Sequence, residues 1–235
     1  MIIQARAFFA GRDADPGRRL LVYGAIATSA IALALFAYYA SVVDRFPWEE
    51  RISTGVQSWR SSWLDTFMKA VSMLGNVGIA GAVVVATSAW LVLRGWRSEG
   101  AFILYAALSG YVISFGLKEL VGRPRPPQSL VQVITETDGY SFPSGHVMHY
   151  VVFLGSLAFV LSTSVKPGVN RWLIQGAVLA VLMAVGLSRI YLGVHWPSDV
   201  LGGYAVGAVV AAGTIWVWLR WTGGSKPAAR PDQAA

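Results

Sequence analysis

Two of the three histidines in this chain stand where histidine can move protons. His195 lies four residues before Asp199, and a carboxylate at that distance can hold one ring nitrogen, fix the tautomer and favour a developing imidazolium. His146 follows Pro143-Ser144-Gly145 at the head of an apolar run and has no acidic partner close in sequence. His195 is therefore read as the nucleophile and His146 as the general acid. At the same helix start, Ser144 is expected to cap, and Gly145 lets a ligand approach the backbone. The free N–H groups of the first turn and the helix dipole favour an anion there. Lys118, Arg125 and Arg189 bring cations from three further points along the chain. Together these residues fit phosphoryl transfer without a metal, in which cations neutralise the phosphate oxygens and two histidines share the proton work.

Singly, each residue has a plainer reading. Lys118 would be a snorkelling lysine, Arg123 and Arg125 loop charges, Asp199 a first-turn helix acid and His195 an interfacial residue beside Trp196. Their convergence on one membrane face is what those readings leave out, because charges near membrane depth are expensive and usually functional.

The elements that must position them are apolar. The 235 residues are 55% hydrophobic and 13% charged, about half the charge fraction of a soluble domain. Six apolar blocks follow in order: 20–43, 67–93, 100–121, 146–164, 172–190 and 197–221. This predicts an all-α, six-span transmembrane bundle over 20–221, with a basic leader (1–19) and a disordered tail (222–235). The first block is too long for a signal peptide core and is read as an uncleaved span. Residues 44–64, where Trp48, Trp59 and Trp63 stand among charges, are expected to lie at the interface. The formal net charge of +7 collects on the side of the two termini, and acids and bases cancel on the other, so both termini are expected in the cytoplasm. Lys118, His146, Arg189 and Asp199 then share the outer leaflet.

The absence of cysteine excludes disulfides and thiolate chemistry. There is no P-loop, metal-type histidine cluster or polybasic run, so neither a cofactor nor nucleic acid is expected.

Lys118-x6-Arg125-Pro126, Pro143-Ser144-Gly145-His146 and Ser188-Arg189-x5-His195-x3-Asp199 together resemble the tripartite signature of the type-2 phosphatidic acid phosphatase superfamily, without a gap or substitution. The resemblance implies a membrane phosphatase with a phosphohistidine intermediate on His195. It also implies that Asp199 orients His195 and that His146 protonates the leaving group. Lys118, Arg125, Ser144, Gly145 and Arg189 match its phosphate-binding positions, and no metal is used. Arg123 falls outside the signature and is read as an auxiliary charge, and His149 as a packing or hydrogen-bonding residue. The expected function is lipid phosphate or pyrophosphate hydrolysis at the outer face of the cytoplasmic membrane. Undecaprenyl pyrophosphate, phosphatidic acid, phosphatidylglycerol phosphate and a lipid A phosphate are all candidate substrates. The alternatives are a lipid phosphotransferase using the same site and a non-catalytic lipid-binding relative.

Overall fold

The computed structural model describes residues 16–164 and 169–222, and all regular structure among them is helical. The leader up to residue 15, Lys166 and the tail from residue 223 lie outside the described residues. Eight helices follow: α1 Pro16–Val42, α2 Glu49–Gln57, α3 Ser62–Leu74, α4 Val77–Leu93, α5 Arg97–Val121, α6 Gly145–Ser164, α7 Val169–Tyr191 and α8 Pro197–Trp221.

Their ends follow local chemistry. Proline opens α1 and α8, where a missing N–H and a fixed φ cost nothing. Glu49 and Glu50 occupy the first turn of α2, at the positive end of its dipole. Gly122 ends α5 in the left-handed region, at φ 64°, and its N–H returns to the Lys118 carbonyl.

α5, α6, α7 and α8 are each long and apolar enough to cross a membrane. The block expected as one span over 67–93 is instead α3 and α4, bent by 56°. Gly75 ends α3, and the Asn76 side chain caps α4 by accepting from the Gly78 N–H at 3.0 Å. A capping asparagine after a glycine starts a new helix, which the apolar count could not register. The pair is a fifth candidate span. In α1 the apolar stretch among the described residues is Ala30–Val42, and the rest of the expected first span falls outside what they test. The segment expected at the interface contains α2 and the start of α3, with Trp59 and Trp63 exposed.

α6 and α8 form the centre, with α5 packed on both and α7 on α6. The largest apolar cluster joins Phe102 and Ile103 of α5, Met148 and Val152 of α6, and Val206 and Trp218 of α8. Glycine brings α6 and α8 together. A Cβ at Gly203 would lie 2.9 Å from the Ser144 carbonyl oxygen, and one at Gly207 2.8 Å from Val151 Cβ. This contact fixes the start of α6 against the start of α8, as does the Ser144 N–H on the Asp199 carbonyl at 3.0 Å.

Gly203→Ala should therefore lower stability by about 1–3 kcal/mol, because backbone cannot move aside cheaply. Gly213→Ala, whose Cβ meets nothing within 4 Å, should be neutral or stabilising by up to about 1 kcal/mol. Thermal unfolding in detergent measures both, and equal stability of the two variants would contradict the close helix contact.

Candidate active site

The end of α5, the start of α6, the end of α7 and the start of α8 meet at one end of the bundle. All the residues singled out for chemistry lie there or in the connections beside it.

His195 sits in the link between α7 and α8 and is 2% exposed. Its Nδ1 is 3.5 Å from Asp199 Oδ2 and 3.4 Å from Ser141 Oγ, and its Nε2 is 3.4 Å from Arg125 Nη1. The partners decide the tautomer. Arginine can only donate and a carboxylate can only accept, so the ring proton belongs on Nδ1 and the lone pair on Nε2. These contacts are loose, as in resting sites that tighten around substrate. Burial, followed by the positive charges of Lys118, Arg189, Arg125 and His146, holds the imidazole well below its ordinary range. The resting His195 is neutral, with its lone pair directed toward the cations.

Asp199 is itself fully buried and heavily bonded. Its Oδ2 accepts from the Trp196 N–H at 2.8 Å, which caps α8, and from the Ser141 hydroxyl. Its Oδ1 accepts from Arg123 Nη1 at 2.6 Å.

Of the three cations of the motif, two are held by carbonyls and one by a serine hydroxyl, none by an acid among the described residues. Lys118 Nζ donates to the Tyr140 carbonyl at 2.5 Å and is 3.3 Å from that of Ser141. Arg125 donates to the carbonyls of Val194 at 2.8 Å and of Gly139 and Asp138 at 2.9 Å each. Burial pulls its guanidinium down from the ordinary arginine range against the pull of Asp199 and Asp138, and it stays charged. Arg189 donates to the Ser72 hydroxyl, and its buried Nε has no partner among the described residues. None of the three lies within 4.0 Å of a carboxylate among those residues.

At the start of α6, Ser144 departs from its expected role. Its carbonyl accepts the Met148 N–H at 3.0 Å, but its buried hydroxyl caps nothing and has no partner among the described residues. Gly145 faces Ser114 and Lys118, where a Cβ would lie 3.4 Å from Ser114 Oγ and 3.6 Å from Lys118 Cε. Those are ordinary contacts, so crowding from the protein alone does not require glycine there. The His146 ring lies directly against Gly75, where the bend leaves no room for a side chain. His149 stacks on Phe153, with ring centroids 5.9 Å apart. It lines an apolar cavity of about 310 Å³ with Leu74, Val83, Tyr150 and Val181, consistent with the packing role.

Several contributors were invisible in the motif. Arg123, read as an auxiliary charge, is fully buried, and it pairs with Glu49 Oε2 at 2.7 Å as well as with Asp199. Glu49, Ser141 and Ser198 complete that network, and Ser72 reaches Arg189. The one available signal was a pair of acids, Glu49 and Glu50, in a Trp-rich segment beside apolar spans.

Comparison with known proteins agrees with this geometry. The sequence model of the PAP2 superfamily matches residues 99–222. Phosphatidylglycerophosphatase B of Bacillus subtilis is 30% identical over 167 residues, covering 69% of this chain and 79% of that protein. The undecaprenyl-diphosphatase of Sulfolobus acidocaldarius is 25% identical over 190 residues, covering 77% and 86%. Among solved structures, the transmembrane PAP2-type phosphatidylglycerolphosphate phosphatase from Bacillus subtilis superposes with a TM-score of 0.70. At 23% identity it covers 85% of this chain and 98% of that one. LpxE of Aquifex aeolicus gives a TM-score of 0.59 at 21% identity, covering 74% and 98%. Membrane-spanning helices, a cation-lined histidine site and these relatives lead to one assignment: the chain is an integral membrane protein belonging to the PAP2 superfamily.

Proposed function

We propose that this protein hydrolyses a lipid phosphate or pyrophosphate through a phosphohistidine on His195, at the outer face of the cytoplasmic membrane. The observation that carries this is the neutral, buried His195, whose Nε2 lone pair faces cations without acidic partners. In the proposed sequence, Nε2 attacks phosphorus as the bond to the leaving oxygen breaks, and His146 gives that oxygen its proton. Lys118, Arg125 and Arg189, with the Gly145 N–H and the unpartnered Ser144 hydroxyl, take the charge on the phosphoryl oxygens. Asp199 accepts the Nδ1 proton as a hydrogen bond and stabilises the charge that grows on the ring. Water then attacks the phosphohistidine and gives a proton back to His146. The N–P bond breaks, inorganic phosphate leaves and His195 is neutral again. No step in this sequence requires a metal.

A lipid substrate is supported by the surroundings. The apolar cavity beside His149 lies one helical turn into the bundle from His146, a place for hydrocarbon rather than phosphate. The named relatives include phosphatases of phosphatidylglycerophosphate, undecaprenyl diphosphate and lipid A. Carrier-lipid pyrophosphate is the preferred substrate within that class, by analogy with those relatives. The outward face is inferred from the distribution of positive charge along the sequence, read as six spans with both termini in the cytoplasm.

Purified protein in detergent should release phosphate from at least one member of a panel of prenyl, glycerolipid and lipid A phosphates. Release should survive EDTA, and a strict requirement for added divalent cation would overturn the metal-free mechanism. His195→Ala should reduce turnover by about 10⁴-fold or more while the protein remains folded. Near-normal turnover in that variant would remove His195 from the chemistry.

The neutral His195 also has a signature in stability. Its folded value lies below the ordinary histidine value of about 6.5, so in the interval between them the unfolded chain binds a proton that the folded protein does not. Stability therefore falls as pH is lowered through that interval. His195→Gln should flatten the dependence by up to about 1.4 kcal/mol per pH unit, read from unfolding in detergent between about pH 4.5 and 6.5. An unchanged slope would mean that His195 is not held neutral.

A further inference from the structure

We infer that Arg123, anchored by Glu49 of the short helix α2, is a positioning residue that holds the Asp199 carboxylate in the place from which it orients His195. This rests on the phosphatase reading above and extends it to two residues outside the signature.

The geometry is specific. Arg123 spreads its guanidinium across three elements. Nη1 donates to Asp199 Oδ1 and to Ser198 Oγ, each at 2.6 Å, and Nη2 donates to Glu49 Oε2 at 2.7 Å. Nε reaches the Asp44 carbonyl at 3.3 Å, and the group lies over the Phe46 ring at 5.4 Å. Glu49 is held in turn. Its Oε1 accepts from the Ser198 N–H at 3.1 Å and from the Ser198 hydroxyl, and its Oε2 accepts from the Phe46 N–H at 2.6 Å. Arg123, Glu49 and Asp199 are all 0% exposed.

An ion pair this deep is weak evidence for stability, because desolvation offsets much of the attraction. Its value lies in direction. With Oδ1 occupied by Arg123, Asp199 presents Oδ2 to the Trp196 N–H, the Ser141 hydroxyl and His195 Nδ1. Arg123 also sets a positive charge directly against the fully buried Asp199. Lys118 and Arg125 act on the carboxylate from the other side at longer range. Neither is hydrogen-bonded to it. Glu49 is needed because it fixes the fork. A lysine at position 123 would keep the charge but lose the planar, multi-point grip.

The test compares wild type, His195→Ala, Arg123→Gln, Arg123→Lys and Glu49→Gln in detergent, each checked for folding by size exclusion and thermal unfolding. Initial rates are taken on whichever lipid phosphate the wild type hydrolyses, across pH. Arg123→Gln should lose about 10–100-fold in kcat, the usual scale for a residue that orients a reacting group from behind, with KM within about twofold. Arg123→Lys should recover part of the rate. Should Arg123→Gln fail to fold, Glu49→Gln carries the test with a loss of about 3–10-fold in kcat at unchanged KM. A folded Arg123→Gln with wild-type kcat, or with a loss confined to KM, would overturn the inference. A wild type that releases no phosphate, or an active His195→Ala, would instead overturn the phosphatase reading itself and the inference with it.

Discussion

The organising constraint in this protein is positive charge drawn partly or wholly out of solvent with no carboxylate in contact among the described residues. Lys118, Arg125 and Arg189 come from the end of α5, the loop after it and the end of α7, and no described carboxylate is within 4.0 Å of any of them. Nearby acids would quench the field that a phosphate needs, so the donors rest on backbone carbonyls and one serine. Such bonds satisfy geometry but leave the charge in place. Burial first, and then the same field, hold His195 neutral in the resting protein. Lone pair and anion attraction are thus two results of one electrostatic arrangement.

Asp199 belongs to the other half of the site. There each acid meets a cation directly, with Arg123 between Asp199 and Glu49, every group buried and almost every donor used. The division is physically sensible. The half that receives a dianion must be short of negative charge, and the half that aims the imidazole must be rigid. A carboxylate bound only by His195 would be drawn toward the free cations. Arg123 prevents this by giving Oδ1 a stronger, fully desolvated partner. The loop from 122 to 144 serves both halves, since Ser141 donates to Asp199 while the carbonyls of Tyr140 and Ser141 hold Lys118.

Much of this was legible in the sequence because membrane folding exposes its rules. Apolar block length predicted α5 to α8 within a few residues, and charges near block ends predicted which helix ends would meet. The spacing of His195 and Asp199 predicted their approach because the capping position of α8 ties both to one turn. Three things were not legible, each for a physical reason. The break at Gly75-Asn76 depends on a single cap inside an apolar run that reads as continuous. The Ser144 hydroxyl caps nothing although its carbonyl begins α6 as a capping residue's does, and the rotamer that decides this leaves no mark on sequence spacing. The Glu49–Arg123–Asp199 network joins residues 74 and 76 positions apart, and sequence spacing carries no trace of such a contact.

The arrangement also bears on substrate choice. Carbonyl-held cations read charge and shape at phosphorus, and nothing in that set recognises what the phosphate is attached to. On the proposed mechanism, the chemical step would then be common to many lipid phosphates, in keeping with relatives named for glycerolipid, prenyl and lipid A substrates. Discrimination would have to come from surfaces touching the rest of the molecule. Two are in place. The bend between α3 and α4 seats His146 against Gly75 and borders the apolar cavity, so the placing of the His146 ring is tied to the shape of that cavity. On the other side, the 122–144 loop is pinned by Gln57, which exchanges two hydrogen bonds with the Gln132 backbone, at 2.7 and 3.0 Å. Sequence change in the bend or the loop could alter which lipid is held while leaving the cations and His195 untouched. On the proposed mechanism, that separation would let one phosphate site serve lipids with little in common beyond the phosphate.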